Sequence, residues 1–474
     1  MIEQLLTRLQ DPGWLLGSDN PRLAQSLLAI EQRLQQIETP TLPRRLLVQE
    51  RDPVAILAAI LGGYRAGYSL FFADPSWGQR ECDQALATMQ AGYHLQAGQL
   101  KIWAGDWDPI ASEHRWFLIP TGGSSGQVRY AIHTCDTLRA SVLGFQSFLG
   151  VDAINSLCLL PLHHVSGLMQ AMRALFTGGR VRIQPWKPIE QGDLQPDPCD
   201  AQSCLSLVPT QLHRLLGSRA QASLEPTLDW LRSFQIVLLG GAPSWASLRQ
   251  HSRQVGIPLG LTYGMTETAS QIATLSPSGF WAGEEDYLPL LPHAQVQIVP
   301  VPGQSDGVGQ IEIQAQSLAK GYYPQLWDPS APLLTDDLGQ VNSAGDLRIL
   351  GRRQELIISG GEKILAPEVE AELQALPGIL DVCVVGIPDA EWGERVAAVY
   401  VPQPESTDLD SLDPEQFSQA LKSQLQERLH PAKIPKTWHR VAQLPRNSQG
   451  KLNRDQIRQL LSGQWAPSRY RDKK

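Results

Sequence analysis

Short apolar runs that alternate with helix-like segments are the feature that most restricts the fold of this chain. Runs rich in valine, isoleucine and leucine, bounded by glycine or proline, recur at residues 157–160, 204–208 and 234–239. The segments between them have the apolar spacing of helices. Strands that alternate with helices in this way are typical of α/β layers built on mainly parallel sheets.

The pattern changes twice toward the carboxyl terminus. From residue 292 to 313, apolar and polar residues alternate, which predicts antiparallel β structure with a turn at Gly307. After Gly351 the runs predict a compact α+β unit of about 120 residues, a normal domain size. The predicted fold class is therefore α/β. We expect a large N-terminal domain, 1–351, of layered α/β subdomains plus a β subregion, and a small mobile α+β C-terminal domain, 352–474.

Composition excludes several classes of protein. The chain has 474 residues, of which 42% are hydrophobic and 19% charged, as in a globular enzyme rather than a disordered or coiled-coil protein. A net charge of -8 without a Lys/Arg run argues against nucleic acid as a partner. The start of the chain carries Glu3 and lacks the basic and long apolar regions of a signal peptide, so we expect a cytoplasmic location.

Two further features have structural interpretations. The most apolar window, residues 53–72, is interrupted by two glycines and Arg65, which predicts a buried helix leading into a strand and no membrane span. The six cysteines are scattered and lack the spacing of a zinc site, so buried free thiols are expected.

Residues 116–126, WFLIPTGGSSG, predict a strand that runs into a loop of glycines and hydroxyl residues. Such loops let backbone N–H groups and hydroxyls surround phosphate oxygens. A Walker A loop is excluded because no Lys-Ser/Thr pair follows Gly126. The loop also matches the serine-hydrolase pattern G-x-S-x-G with Ser124 as nucleophile, but that pattern needs a helix directly after the serine, whereas residues 127–134 alternate like a strand. A flexible surface turn is the third interpretation.

Five further segments follow this loop along the chain. They are Leu239-Gly240-Gly241-Ala242-Pro243, residues 262–268 (TYGMTET), Thr335-Asp336-Asp337, Gly351-Arg352-Arg353 and residues 445–451 (PRNSQGK). In this order, the set resembles the adenylate-forming superfamily of acyl-CoA synthetases, luciferases and peptide-synthetase adenylation domains, over nearly the whole chain. The resemblance implies that a carboxylate attacks the α-phosphorus of ATP, with Mg²⁺ bound, to give an acyl-adenylate and pyrophosphate.

The resemblance also implies a nucleotide site. Its loop would hold the β- and γ-phosphates, Tyr263 would present a flat face to adenine, and Asp337 with Arg352 would contact the ribose hydroxyls. A core aromatic residue and a surface salt bridge are the competing interpretations. The implied ATP-binding residues are Thr121, Gly122, Gly123, Ser124, Ser125, Gly126, Arg129, Gly240, Gly241, Ala242, Tyr263, Gly264, Asp337 and Arg352.

Four residues have implied catalytic roles. Lys451 would bridge the attacking carboxylate and the α-phosphate, where an ammonium group neutralises developing charge. Thr266 and Glu267 would act at the α-phosphate, with Glu267 as an oxygen ligand of Mg²⁺. His164 would lie beside the carboxylate that is activated and would gate its pocket.

In the second half-reaction of the family, a thiol attacks the acyl-adenylate to form a thioester. That thiol must reach the acyl carbonyl that Lys451 covers. In the family, a hinge matching residues 351–354, with Gln354 as the swivel, lets the small domain move. Gly360 and Gly361 would then line a tunnel for the pantetheine arm, where only glycine admits a narrow thiol chain. The chain ends shortly after Lys451, leaving no room for a carrier domain, so free coenzyme A is the expected acceptor.

The acid is indicated by a narrower resemblance. Residues 160–168, 208–212 and 266–271 are similar to those of 2-succinylbenzoate–CoA ligases, which act in menaquinone and phylloquinone synthesis. A second carboxylate on the acid would need a cation or several donors. The candidate acid-binding residues are Ser166, Arg214 and Ser270. A ligase for another aryl or fatty acid, a catalytically silent nucleotide-binding protein and a serine hydrolase are the alternatives.

Two departures from the family pattern are visible. The family's Pro-Lys-Gly after the phosphate loop is replaced by Val128, Arg129 and Tyr130, which keeps a cation. The family's Thr-Gly-Asp is here Thr335-Asp336-Asp337, which predicts an additional carboxylate near the ribose.

Overall fold

The computed structural model describes residues 13–16, 20–37, 42–105, 115–122, 128–194, 203–217, 224–301, 307–403, 414–426, 428–446 and 452–461. The chain divides into two compact units, whose bounds follow. The first comprises Met1–Gly241, Val255–Val296 and Ile313–Leu333, and the second comprises Ala242–Gln254, Gln297–Glu312 and Leu334–Lys474. The predicted hinge, 351–354, lies inside the second unit, and the boundary between 351 and 352 stays a prediction.

The strands have the following bounds. In chain order they are β1 (Arg45–Gln49), β2 (Ser69–Phe72), β3 (Gly92–Gln96), β4 (Gln99–Trp103), β5 (Phe117–Gly122), β6 (Val128–His133), β7 (Asn155–Cys158), β8 (Val181–Ile183), β9 (Ser203–Leu207), β10 (Ile236–Leu239), β11 (Leu259–Met265), β12 (Ser270–Thr274), β13 (Ala294–Pro300), β14 (Gly309–Ala315), β15 (Gly321–Tyr322), β16 (Gln325–Leu326), β17 (Leu333–Val341), β18 (Leu347–Arg352), β19 (Leu356–Ser359), β20 (Glu362–Leu365), β21 (Ile379–Asp389), β22 (Gly393–Pro402) and β23 (Thr437–Arg440).

The helices lie between these strands. In chain order they are α1 (Asn20–Gln35), α2 (Pro53–Arg65), α3 (Gln79–Met89), α4 (Cys135–Leu149), α5 (Val165–Thr177), α6 (Trp186–Glu190), α7 (Pro209–Gly217), α8 (Glu225–Arg232), α9 (Ala246–Gln254), α10 (Pro277–Ala282), α11 (Ala366–Gln374), α12 (Pro414–Gln426) and α13 (Arg454–Leu461).

The first unit contains two sheets with parallel centres. One has eight strands in the order β16-β15-β6-β5-β2-β1-β3-β4, in which β1, β2, β3 and β5 pair in parallel. The other has six strands in the order β12-β11-β10-β9-β7-β8 and is parallel except for the β11–β12 pair. The predicted mainly parallel α/β layers are confirmed.

Helix α2 shows why the most apolar window is buried. Its N-cap residue Asp52 accepts a hydrogen bond from the Ala55 N–H at 3.2 Å, and Pro53 occupies the first turn. Most of its residues are apolar and buried, as expected for a helix surrounded by protein. Gly67, with φ +87°, then turns the chain into β2. The predicted buried helix leading into a strand is confirmed.

Two further sheets complete the fold; in them the pairs β17–β18, β19–β20, β19–β22 and β21–β22 are antiparallel, whereas β22–β23 is parallel. A four-stranded sheet has the order β13-β14-β17-β18, and a five-stranded sheet has the order β20-β19-β22-β21 with β23 beside β22. Helices α11 and α12 cover the five-stranded sheet with buried apolar side chains, among them Val369, Leu373, Phe417 and Leu421. The predicted α+β unit after Gly351 is therefore present.

The described residues contain no helix that is long and apolar enough to cross a membrane. Five of the six cysteines are described, and all five are free thiols. Four of them are buried, whereas Cys82 is partly exposed. Cys199 lies outside the described residues.

Candidate active site

The predicted phosphate loop connects two paired antiparallel strands. Strands β5 and β6 pair antiparallel, with Thr121 opposite Arg129 and Gly122 opposite Val128. Thr121 is buried, and its Oγ1 lies 3.5 Å from the carbonyl oxygen of Arg129. The loop residues Gly123, Ser124, Ser125 and Gly126 lie outside the described residues. The stem of the loop brings two predicted phosphate-binding residues side by side.

This hairpin argues against the serine-hydrolase interpretation. A nucleophile elbow needs a helix directly after Ser124. Here strand β6 follows the loop, and α4 begins only at Cys135. Thr134 and Thr137 cap that helix by accepting hydrogen bonds from each other's backbone N–H groups.

Thr266 and Glu267 lie on a 3-10 turn, Thr266–Thr268, between β11 and β12. The Thr268 hydroxyl donates to the Ser270 carbonyl oxygen at 2.6 Å. Ser270 has φ +92°, a conformation that costs free energy for a residue with a Cβ and therefore persists only where its surroundings impose it. The backbone that carries the predicted catalytic pair is thus tightly constrained.

Glu267 is held at two points by the segment that contains β15. The Tyr322 hydroxyl donates to Glu267 Oε1 at 2.5 Å, and the Ala319 N–H donates to the Glu267 carbonyl oxygen at 2.8 Å. The Arg129 guanidinium lies over the Tyr322 ring, 4.6 Å from its centroid, in a cation–π contact. Tyr322 therefore connects a predicted phosphate-binding residue to the predicted magnesium ligand. No local sequence signal marks Tyr322 for this role.

His133, at the end of β6, holds the neighbouring Thr266. It is fully buried, and its Nε2 lies 2.7 Å from the Thr266 carbonyl oxygen while its Nδ1 lies 3.1 Å from Thr137 Oγ1. Burial lowers the pKa of His133 to about 4, so the imidazole is neutral at pH 7. Because a carbonyl oxygen only accepts, Nε2 is the nitrogen that carries the proton.

The burial of His133 predicts a loss of stability in acid. Its folded pKa of about 4 lies below the ordinary value of 6.5, so only the unfolded chain takes up this proton between those pH values. The contribution of His133 to the free energy of unfolding is fully present above pH 6.5. It falls by about 3 kcal/mol as the pH drops toward 4. The variant His133→Gln keeps an N–H donor but does not titrate. We expect its free energy of unfolding, measured by urea denaturation, to fall less than that of wild type between pH 7 and 4.5. Identical losses in both proteins would rule out this assignment.

Tyr263 lies on β11, half-buried, beside the end of the parallel strand β10. Gly240 directly follows β10, so both residues lie at the carboxyl edge of the sheet, where α/β proteins bind ligands. A Cβ at Gly240 would lie only 2.1 Å from Thr262 Oγ1, so packing between the two strands already requires glycine. Contact with adenine stays a prediction for Gly240, Gly241, Ala242, Tyr263 and Gly264.

Asp337 and Arg352 face each other across β17 and β18. They are register partners, and Arg352 Nε lies 3.3 Å from Asp337 Oδ1. The Asp337 side chain is 13% exposed, whereas that of Arg352 is 56% exposed. Asp336 is exposed between buried Thr335 and buried Asp337, because successive residues of a strand point to opposite faces. The additional carboxylate of Asp336 therefore does not share the face of Asp337.

The predicted hinge and tunnel residues have local structural roles. Gln354 lies on a 3-10 turn, Arg353–Glu355, and its carbonyl oxygen accepts from Arg458 Nη2 at 3.2 Å. Gly360 and Gly361 form the two-residue turn between β19 and β20, with φ +60° and +86°. Such a turn requires two left-handed residues. Movement at Gln354 and a thiol tunnel at the glycines stay predictions.

Lys451 lies outside the described residues, but the ends of its segment are held together. Arg446 and Leu452 form an antiparallel bridge, and the Asn453 N–H donates to the Pro445 carbonyl oxygen at 2.9 Å. The loop that carries Lys451 is therefore closed at its base.

The predicted acid-binding residues differ in their surroundings. His164 is the N-cap residue of α5, and Ser166 is exposed in its first turn. Arg214, on α7, is 60% exposed and pairs with Glu190 at 3.1 Å. Its charge is therefore screened by solvent and paired with a surface carboxylate.

A different arginine lies beside Ser270. Arg173, on α5, is buried; its Nη2 lies 2.7 Å from Gln271 Oε1 and 3.4 Å from Ser270 Oγ. Burial lowers the pKa of Arg173 to about 10, which still leaves it charged at pH 7. Its guanidinium also lies 4.5 Å from the centroid of the Phe145 ring. Arg173 is not among the predicted residues, although a lone arginine in the apolar helix 165–177 is a signal that marks it.

Comparison with known proteins supports the same chemistry. The family model for AMP-binding enzymes matches residues 96–323, and the model for the AMP-binding enzyme C-terminal domain matches residues 368–451. A 2-succinylbenzoate–CoA ligase from Geobacillus kaustophilus is 32% identical over 365 residues, which cover 73% of this chain and 69% of that protein.

Solved structures share the fold. The o-succinylbenzoate CoA synthetase from Bacillus subtilis, in complex with its acyl-adenylate intermediate, has a TM-score of 0.78 at 22% identity, covering 96% of this chain and 97% of that one. Its complex with ATP and magnesium has a TM-score of 0.75 at 23% identity, covering 96% and 98%. The predicted superfamily and fold class are confirmed, and this chain belongs to the AMP-binding enzymes, in the family of the 2-succinylbenzoate–CoA ligases.

Proposed function

We propose that this chain is an AMP-forming acid–CoA ligase that acts on 2-succinylbenzoate. In the first step a carboxylate oxygen of the acid attacks the α-phosphorus of ATP, and the bond to pyrophosphate breaks. In the second step the thiol of coenzyme A attacks the carbonyl carbon of the acyl-adenylate, and AMP leaves with the bonding electron pair. Membership of the ligase family and the arrangement of Glu267, Tyr322 and Arg129 support this proposal.

The first step brings two anions together, so its barrier is largely electrostatic. Thr121 and Arg129, paired at the stem of the loop, would bind the phosphates that become pyrophosphate. Thr266, whose carbonyl is held by His133, would direct its side chain to the α-phosphate. Lys451 would add the positive charge between the carboxylate and that phosphate.

Glu267 fits the role of a magnesium ligand. Mg²⁺ prefers carboxylate oxygens, and the hydrogen bond from Tyr322 occupies Oε1 and leaves Oε2 for the ion. Bound magnesium would neutralise charge on the phosphate oxygens. In the apo protein, Tyr322 keeps the carboxylate in place before the ion arrives.

The charge at Arg173 favours an acid with a second carboxylate. Arg173 lies beside Ser270, one of the predicted acid-binding residues, and is buried. A buried cation binds a carboxylate more strongly than an exposed one, because solvent screens it less. Arg214, which is exposed and paired with Glu190, is the weaker candidate.

Incubation with ATP, Mg²⁺, coenzyme A and 2-succinylbenzoate, followed by mass detection of the thioester, tests the proposed function. Parallel reactions with benzoate and a fatty acid, monitored by pyrophosphate release, test the alternative acids. The proposal requires that 2-succinylbenzoate have the highest kcat/KM of the panel. Thioester formation with a fatty acid alone would assign the chain to another ligase, and labelling of Ser124 by a fluorophosphonate would point to a hydrolase.

Tyr322→Phe tests the placement of Glu267. Loss of the hydroxyl removes a hydrogen bond to a charged group, which contributes about 1.5–3 kcal/mol. We expect the Mg²⁺ concentration for half-maximal adenylation to rise by about tenfold or more. Trp327→Phe is the control, since Trp327 packs edge-on against the Tyr322 ring without a hydrogen bond to Glu267. An unchanged Mg²⁺ dependence in Tyr322→Phe would exclude this role.

Gln354→Pro tests the hinge. Proline fixes φ at the proposed swivel, so adenylation should be spared while thioester formation slows by about tenfold, or about 1.4 kcal/mol. Each half-reaction is measured by itself, as pyrophosphate release without coenzyme A and as thioester formation from preformed acyl-adenylate. Equal losses in both half-reactions would count against a swivel at this residue.

A further inference from the structure

Three metal-ligating side chains meet beside the predicted acid site. Asp74 follows strand β2, and His163 and His164 follow strand β7, so all three lie just beyond the carboxyl ends of parallel strands. One ligand atom from each lies within 4.8 Å of the other two. The two histidine rings are 4.4 Å apart, centroid to centroid.

The distance between His163 and Asp74 suits two ligands of one metal ion better than a strong hydrogen bond. His163 Nε2 lies 3.5 Å from Asp74 Oδ2, and this buried nitrogen makes no hydrogen bond within the part of the chain that the structure describes. Ligand atoms around a tetrahedral zinc ion, each about 2.0–2.1 Å from the metal, lie roughly 3.3–3.5 Å apart. The side chain of His163 is 9% exposed, so water does not readily satisfy its nitrogen.

Asp74 is oriented by its own neighbour. Its Oδ1 accepts from the Ser76 N–H at 2.8 Å and from Ser76 Oγ at 2.6 Å, which leaves Oδ2 directed toward His163. Burial by itself would raise the pKa of Asp74, but His163 and Ser76 lower it below its ordinary value, so the carboxylate is ionised at pH 7. A ligating carboxylate is commonly held in this way by a hydrogen bond to its other oxygen.

We propose that Asp74, His163 and His164 form a binding site for a divalent transition-metal ion of the Zn²⁺ type. Two imidazole nitrogens and one carboxylate oxygen are a ligand set that suits Zn²⁺, Co²⁺ or Ni²⁺, whereas Mg²⁺ prefers oxygen ligands alone. Three protein ligands leave a fourth position for water. His164 is only partly buried, so we expect an ion to enter from its side.

Occupancy of this site has a consequence for catalysis. This consequence rests on the proposed function, in which His164 lies beside the carboxylate of the acid. An ion bound to the His164 imidazole would prevent that ring from contacting the carboxylate of the acid. Zn²⁺ is therefore expected to raise the KM for the acid. Chelation should reverse the inhibition, and excess Mg²⁺ should not.

The binding itself is tested on the full-length protein after treatment with a chelator. Zn²⁺ is titrated calorimetrically into wild type, Asp74→Asn and His163→Gln, with His251→Gln as the control, because His251 is not one of the three clustered ligands. We expect one Zn²⁺ per chain in wild type and in the control, and binding at least about tenfold weaker in the other two variants. Equal affinity in all four proteins would place the ion elsewhere and overturn the proposal, as would the absence of stoichiometric binding.

Cobalt replacement gives a test on wild type that does not depend on any variant folding correctly. Co²⁺ in a site of two imidazoles and a carboxylate should show the intense visible bands of a four-coordinate ion without a thiolate charge-transfer band. A thiolate band would assign the ion to a cysteine and overturn the proposal. Because these measurements need no acid or coenzyme A, failure of the proposed ligase activity and failure of the metal site are distinguishable.

Discussion

Lys451→Ala should slow acyl-adenylate formation by roughly a hundredfold or more, while the rate of thioester formation from preformed acyl-adenylate is largely unchanged. The first step places the attacking carboxylate against a phosphate, and an ammonium group between them offsets charge that grows in the transition state. The second step has no such pair of anions at Lys451. Pyrophosphate release measures the first step, and supplying the acyl-adenylate directly isolates the second.

Lys422→Ala is the matched control for Lys451→Ala. Lys422 is exposed on α12, so its removal changes the net charge by the same amount without touching the proposed site. We expect both half-reactions of this control to match those of wild type. A parallel fall of both half-reactions in Lys451→Ala would contradict the proposed role, as would normal adenylation.

Arg454→Met should strongly destabilise the second unit. The Arg454 guanidinium, 15% exposed, donates to Glu370 at 2.6 and 2.9 Å, to Glu355 at 3.0 Å and to the Val384 carbonyl oxygen at 2.8 Å. Burial by itself would lower the pKa of Arg454, but Glu370 and Glu355 raise it above its ordinary value, so the group is charged at every pH at which the fold persists. Removing the cation leaves two poorly solvated carboxylates near each other without a counter-charge, which costs about 3–5 kcal/mol.

Urea denaturation, with hydrogen exchange in β21 and β22, measures the Arg454 effect. Arg428→Met is the control, because Arg428 pairs with Glu372 at 3.7 Å on the surface and should contribute about 1 kcal/mol or less. Arg454→Met combined with Glu370→Gln should recover part of the loss, since one unpaired charge is then removed. A loss in Arg454→Met no larger than that in the control would refute the prediction.

Arg454 also affects the proposed chemistry indirectly. It lies three residues after Lys451 and anchors the start of α13. The same variant is therefore expected to reduce adenylation at temperatures where the protein is still folded, because the segment that carries Lys451 loses its anchor.

Much of the fold could be predicted because strands and helices leave local periodic patterns. The run at 204–208 corresponds to β9, and the run at 234–239 corresponds to β10. The window 53–72 contains the predicted buried helix and strand. These predictions depend only on residues within a few positions of one another.

The candidate site was predictable in part for the same reason. Thr121 and Arg129 face each other because a hairpin joins neighbouring segments, and Asp337 and Arg352 do so across adjacent strands. Asp336 lies on the exposed face of the strand, as the alternation of side chains along a strand requires.

The amino-acid order by itself determined the family, the glycine-rich hairpin, the acidic and basic residues available for catalysis, and the alternation that forms parallel sheets. Only the tertiary structure decided which distant groups meet: Tyr322 with Glu267, His133 with Thr266, Arg173 with Ser270, and Asp74 with His163. The physical reason is that periodicity records which face of an element is buried. Which side chains meet across a sheet edge depends on how whole layers pack. That packing is determined jointly by residues that are far apart in the chain.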